Sequence, residues 1–184
     1  MRMPASGPSL VDRCVAGEPE AWRELHREYL PMVTSSLRHL GVPARELDDA
    51  RQEVFVQLFR YLRRFQQRSG LRTWIYKLCI SQAARLRRRQ KLEAAWRWLW
   101  PGRARATAGE GLDWPESEVA RRVRAALDSL KPIFRTVFVL YELEGLPGEE
   151  VAAITGLPFS TVRRRLHHAR LAFTAHVKAQ EPSP

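Results

Sequence analysis

Arg163, Arg164 and Arg165 stand consecutively in the chain, with Ser160 and Thr161 just before them and His168 one turn beyond. Guanidinium groups donate two hydrogen bonds at once to a guanine edge or to a phosphate, so this run suits a nucleic acid better than any reaction. Val162, Leu166, Ala169 and Phe173 recur at helical spacing and mark the face that must be buried. Thr161, Arg164, Arg165 and His168 then fall on the opposite face, with Arg163 on a flank. Val151, Ala152 and Ile154 mark a short helix before it, and Gly156 sits where the chain must turn with positive φ. Ala152 is small enough to let the two helices approach closely. The pattern predicts a helix-turn-helix whose second helix enters the major groove. The bland alternative is a helical hairpin with a solvated basic face, against which the arginine run beside a glycine turn argues.

A second set of polar residues lies in the first half of the chain. Asp48, Asp49, Gln52 and Glu53 form an acidic cluster in an otherwise basic protein, and Val56 and Phe59 fall outside the main apolar stripe of the same segment. Taken singly, acids at the start and Arg60, Arg63 and Arg64 at the end suit the helix macrodipole. Taken together, the cluster suits a protein partner. Carboxylates four apart could begin a metal site, but no histidine accompanies them, and a metal is not expected there.

A third set combines Trp74 and Tyr76 with Arg85, Arg87, Arg88, Arg89 and Lys91. Aromatic rings that stack on unpaired bases, with arginines that hold phosphates, are what single-stranded DNA binding requires. The alternative places Trp74 and Tyr76 in the core of a small bundle, and the spacing of Trp74 to Leu78 favours it for that residue.

Composition agrees with a polyanionic partner. The 184 residues carry a formal charge of +11 and a pI near 10.7, pointing to nucleic acid first and an acidic membrane surface second. Cys14 and Cys79 match neither a disulfide framework nor a metal cluster, and the N-terminal residues lack the apolar segment of a secretory signal. A cytoplasmic protein with reduced thiols is expected, with no membrane insertion. The sequence has no glycine-rich phosphate loop, no His-Glu-x-x-His, no Cys-x-x-Cys and no nucleophile elbow, so neither catalytic residues nor a cofactor are expected.

The elements that must position these residues are helical. A short turn from Leu10 to Ala16 precedes a helix over about 20–40, with Trp22, Leu25, Tyr29, Val33 and Leu37 on one face and Pro31 interrupting it. A helix over about 44–65 buries Leu47, Val54, Leu58, Leu62 and Phe65, and another follows over about 71–90. Trp96, Trp98 and Trp100 then lie in a Gly- and Pro-marked stretch, able to pack back onto the first half, insert into a partner or lie on a membrane. The second half opens at Pro115, with Val119, Val123, Leu127 and Leu130 as an apolar stripe, and a helix from Pro132 ends at Gly145. The expected fold is all-α: two small helical domains, 1–91 and 115–178, joined by a flexible linker over 92–114, the C-terminal one containing the helix-turn-helix.

At this point the sequence resembles a known family. Leu10 to Leu25, Asp49-Ala-Arg-Gln-Glu-Val-Phe55, Leu71-Arg-Thr-Trp-Ile-Tyr-Lys-Leu78, Glu144 to Ala153, and Thr161 to Arg170 are together similar to the extracytoplasmic-function class of RNA polymerase sigma factors, in the family's order. The resemblance implies a transcription initiation factor that leaves catalysis to core polymerase. Asp48, Asp49, Gln52, Glu53, Phe55 and Val56 would dock on the clamp helices of the largest polymerase subunit. Arg64, Gln66, Gln67, Arg68, Ser69, Thr73, Trp74 and Lys77 would capture the melted −10 element. Arg163, Arg164, Arg165 and His168 would read the −35 element, with Ser160 and Thr161 near backbone phosphates. The linker would thread toward the RNA exit path, and an anti-sigma factor is implied as a further partner. Three departures stand out: Ser81 where Asn is common, Arg85 where an acid is common, and Pro147 where Ser or Thr usually begins a helix. The tryptophan-rich linker has no counterpart in the family pattern.

Two other readings compete. A stand-alone helix-turn-helix regulator would bind a palindrome as a dimer without polymerase. A basic helical protein could instead act at a membrane surface through Trp96, Trp98 and Trp100.

Overall fold

The computed structural model describes residues 9–64, 70–99 and 117–180, and all regular structure among them is helical. Helix α1 (Leu10–Val15) is short, and Ser9 caps its start. Ser9 accepts from the Asp12 backbone N–H while the Asp12 carboxylate accepts from the Ser9 N–H, a reciprocal cap that compensates for the lack of length.

Helix α2 (Pro19–His39) continues past Pro31, with Ala21, Leu25, Val33, Ser36 and Leu37 buried. Pro31 denies the Arg27 carbonyl its usual donor without ending the helix. Helix α3 (Ala44–Tyr61) buries Leu47, Ala50, Val54 and Leu58 and tightens into a 3-10 turn over Leu62–Arg64. Phe65, expected in the same stripe, lies outside the described residues.

Helix α4 (Leu71–Leu99) has 29 residues and is about 43 Å long at the standard rise. It carries well past Gln90 and through the first positions assigned from sequence to the linker. Lys91, Leu92, Glu93, Ala94 and Ala95 in that stretch all favour helix, and Pro101 and Gly102 come only afterwards in the sequence. Ile75, Tyr76, Cys79, Ala83 and Leu86 are buried along its first half, whereas Leu92 and Trp96 are exposed near its end.

The second half packs α5 (Glu118–Ser129), α6 (Pro132–Phe138), α7 (Gly148–Thr155) and α8 (Phe159–Ala179). Ser117 caps α5 by accepting from the Ala120 N–H at 3.2 Å. Of the stripe expected there, Leu127 and Leu130 are buried, but Val119 is 70 % exposed because it lies in the first turn, beyond the partners that cover the rest. Helix α6 continues as a π-helical turn over Val139–Leu143, which delivers Glu142 and Glu144 to their partners.

The two halves are not separate bodies in this arrangement. Buried side chains from α2, α3 and α4 and from α5 to α8 form one contiguous hydrophobic cluster, with α4 lying against α7. Polar contacts sew the same seam. Arg135, 7 % exposed, donates from Nε to the His39 carbonyl at 2.5 Å and from Nη1 to Asp128 at 2.6 Å. A Cβ at Gly41 would stand 2.9 Å from the Arg135 Nη1, so this approach requires glycine.

Candidate nucleic-acid and protein interfaces

The helix-turn-helix is formed as expected. Gly156 ends α7 at φ 70, and its N–H donates to the Ala152 carbonyl at 2.8 Å. The two helices approach closely at Gly148, where an added Cβ would collide with the Phe159 ring, and Ala152 packs against the same core. Pro147 precedes α7 without a side-chain cap, as its chemistry dictates.

On α8, Val162, Leu166 and Ala169 are buried and Phe173 stacks on Phe138 at 4.7 Å. Ser160, Arg163, Arg164 and His168 are exposed, and Arg163 and Arg164 make no ion pair among the described residues. Thr161 is half-buried. The His168 ring stacks against Phe134 at 5.8 Å, which holds it on the rim of the helix. Arg165 departs from its expected place. It is half-buried and lines a cleft against the first half, opposite Lys77 and Arg87. One turn on, Arg170 is neutralised by Glu142 at 2.6 Å and lies over the Tyr141 ring, which leaves the exposed basic surface at the N-terminal half of α8.

The residues expected to touch a protein partner separate onto two sides of α3. Asp48, Gln52, Phe55 and Val56 line an apolar groove of about 980 Å³ between α2 and α3, with Trp22, His26 and Phe59. Phe59 is 62 % exposed; its ring meets Trp22 at 4.8 Å, and Phe55 meets His26 at 4.4 Å. Asp48 pairs with Arg51 at 2.8 Å on the rim. Asp49 and Glu53 instead face α4, lining a smaller cavity with Arg85 and Arg89. A hydrogen bond from Gln57, with the Arg85 and Arg60 charges, holds the Glu53 carboxyl below its ordinary range against mild desolvation. Arg85 lies 3.4 Å from Glu53, so the basic residue found where an acid is common joins α4 to α3. The division follows from helical geometry, one residue along the sequence being about 100° around the axis.

The residues expected to handle unpaired DNA are the least available. Gln66, Gln67, Arg68 and Ser69 lie outside the described residues, as does the Arg64 side chain. Thr73 is 6 % exposed and donates to Glu150 of α7 at 2.9 Å. Trp74 is half-buried against the core, while Lys77 is exposed. Tyr76 is a core residue: fully buried, it donates to Glu144 at 2.9 Å and accepts from Arg72 at 3.1 Å. Burial pushes its hydroxyl up to about 12. Sequence periodicity left it a choice between base stacking and core, and the acceptor that decided the matter is 68 residues away.

Glu144 is the polar centre of the seam. Its carboxylate also accepts from Ser36 at 3.0 Å, with His39 Nδ1 at 3.9 Å. Burial pushes its pKa up, but the nearby His39 ring and the hydrogen bonds from Tyr76 and Ser36 outweigh that and leave it below the ordinary range. No group of three or more metal-ligating residues occurs among the described residues, and no helix there is long and apolar enough to cross a membrane.

Comparisons with known proteins match both halves. The sigma-70 region 2 family covers residues 25–93 and the sigma-70 region 4 family covers residues 120–173. The ECF RNA polymerase sigma-E factor of Escherichia coli K12 is 30% identical over 183 residues, covering 92% of this chain and 93% of that protein. The ECF sigma factor SigE of Mycolicibacterium smegmatis is 30% identical over 156 residues, 82% of this chain and 59% of that longer protein. Among solved structures, CnrH in complex with the cytosolic domain of CnrY superposes with a TM-score of 0.70 at 23% identity, covering 94% of this chain and 97% of that one. The sigma factor RpoE in complex with the anti-sigma factor NepR from Bartonella quintana superposes at 0.67 and 18% identity, covering 86% of this chain and 99% of that one. With region 2 and region 4 in sequence order and a near full-length match to a sigma-E factor, the chain belongs to the extracytoplasmic-function group of the sigma-70 family, the factors of transcription initiation.

Proposed function

We propose that this sigma factor binds core RNA polymerase through its first half and directs it to promoters whose −35 duplex is read by α8 and whose melted −10 strand is held by the start of α4. The observation that carries the reading is the apolar groove between α2 and α3, with Phe59 exposed beside Phe55 and Trp22. A regulator that needed only DNA would have no use for it, and exposed aromatic clusters of this kind mark protein contacts. Asp48, Gln52, Phe55 and Val56 are therefore assigned to the polymerase clamp, with Asp49 and Glu53 contributing from the α4 side.

The division of labour follows the domains 1–91 and 115–178. Arg163 and Arg164 supply base contacts, Ser160 and Thr161 phosphate contacts, and Arg165 and His168 flank them. Arg64, Gln66, Gln67, Arg68, Ser69, Thr73, Trp74 and Lys77 are assigned to the −10 strand, which requires α4 and α7 to part so that Thr73 is released. An anti-sigma factor is the expected regulator, a reading supported by similarity to sigma factors solved in such complexes.

The test is pull-down with purified bacterial core polymerase followed by run-off transcription from the fragment upstream of the gene. Association with promoter-dependent transcripts is expected. Duplex DNA binding without core association would replace this reading by the stand-alone regulator.

A further inference from the structure

Lys77 and Arg87 of α4 and Arg165 of α8 line one cleft of about 340 Å³ where the two halves meet. Ser81, Thr136 and Thr155 add three hydroxyls to its wall, and no acidic residue lines it. The other basic residues of the seam are neutralised or bound: Arg135 by Asp128, and Arg170 by Glu142. Arg87 is held by the Leu40 carbonyl at 2.9 Å, which fixes its position but does not cancel its charge. Burial, with the nearby Arg135 and Arg88 charges, lowers the Arg87 pKa. Like charges gathered at a half-enclosed site repel unless an anion joins them. The remaining wall is apolar, contributed by Ile80, Ile133 and Leu157 among others.

We propose that this cleft binds a small organic phosphate of nucleotide size, its phosphates held by Lys77, Arg87 and Arg165 and its organic part against Ile133 and Leu157. The volume suits such a ligand, since small-molecule sites begin at about 300 Å³ and combine apolar walls with a few convergent polar groups. Because the cations come from both halves, the ligand binds only the closed arrangement and stabilises it. It would also occupy Lys77 and Arg165, two residues assigned above to DNA, so ligand and promoter compete.

The test is binding to the full chain at fixed ionic strength, by calorimetric titration and thermal shift, with pyrophosphate, ATP and adenosine as probes. Saturable one-to-one binding of pyrophosphate and tighter binding of ATP are expected, with a rising melting temperature and no binding of adenosine. Lys77→Gln and Arg165→Gln should each weaken ATP binding about tenfold, the usual order for losing one charge-assisted contact. Arg163→Gln, which removes the same charge from the exposed face of α8, should leave it unchanged. Non-saturating binding, equal loss in all three variants, or ATP no tighter than pyrophosphate would overturn the proposal. None of these readouts uses polymerase, so they stand apart from the test of promoter recognition.

Discussion

The Tyr76 hydroxyl and the Glu144 carboxylate meet at 2.9 Å across the seam between the two halves, the tyrosine fully buried and the carboxylate largely so. Neither residue is placed to touch DNA or polymerase; together with Ser36 they fasten α2 and α4 to the segment leading into α7. Tyr76→Phe leaves the ring in the core but removes the donor. It should cost about 1.5–3 kcal/mol, as expected for a hydrogen bond to a charged group. Denaturant titration of Tyr76→Phe, Glu144→Gln and the double variant checks this; strictly additive losses would show that the pair is not coupled.

The same pair makes the closed arrangement sensitive to pH at both ends. Glu144 titrates below its ordinary range when folded, so its stabilisation is present above the unfolded carboxyl value and is lost as pH falls through the depressed one. Tyr76 is raised to about 12, so its contribution is complete below the unfolded tyrosine value and disappears as pH rises toward that figure. Stability against pH should therefore fall on the acid side less steeply in Glu144→Gln than in the wild type, and on the alkaline side less steeply in Tyr76→Phe.

Arg164 is exposed on α8 with no ion pair among the described residues, so its loss should leave the fold alone. Arg164→Ala is expected to weaken promoter binding by about 1–3 kcal/mol and to relax preference at one position of the −35 element. Equal loss on every −35 sequence, with a shallower salt dependence, would make it a phosphate contact instead.

Phe59 projects from the groove and buries little in the free protein. Phe59→Ala should therefore change folding stability slightly while lowering affinity for core polymerase by about 2 kcal/mol or more, the scale of an aromatic anchor. Surface-immobilised core polymerase gives the measurement, and undiminished affinity would remove the groove from the interface. Asp49→Arg, on the other side of α3, distinguishes the two faces: loss of core binding there would extend the contact toward α4.

Gly156 holds φ 70 with nothing within 4 Å of an added Cβ. Gly156→Ala should cost about 1–2 kcal/mol through backbone conformation alone. Gly148→Ala meets the Phe159 ring, which is partly exposed and free to swing, so the penalty should include a displaced α8 start that thermal melting and promoter binding both register.

Local patterns in the sequence carried most of the architecture. The stripes of α2 and α8, the α3 stripe as far as Leu62, the αL turn at Gly156 and the bare start at Pro147 all depend on neighbours within a few residues, and they stand as expected. What periodicity could not reach were contacts between distant segments. Tyr76 was settled by Glu144, Thr73 is engaged by Glu150, and Arg165 lies in the seam against α4. The acidic cluster read as one face divided in two because Asp48 and Asp49, adjacent in sequence, point to different neighbours. The cap at Ser117 follows from its residue type, a serine just before the apolar stripe begins.

The Thr73–Glu150 bond has a quantitative corollary for the proposed −10 contact. A side chain engaged inside the protein can meet DNA only in the fraction of molecules that have opened, so observed affinity is the intrinsic affinity multiplied by that fraction. Every ~1.4 kcal/mol by which the closed form is favoured dilutes promoter affinity about tenfold. Any partner that binds only the opened form would restore that factor without contacting a single base, so that promoter affinity becomes a property of the complex rather than of the isolated chain.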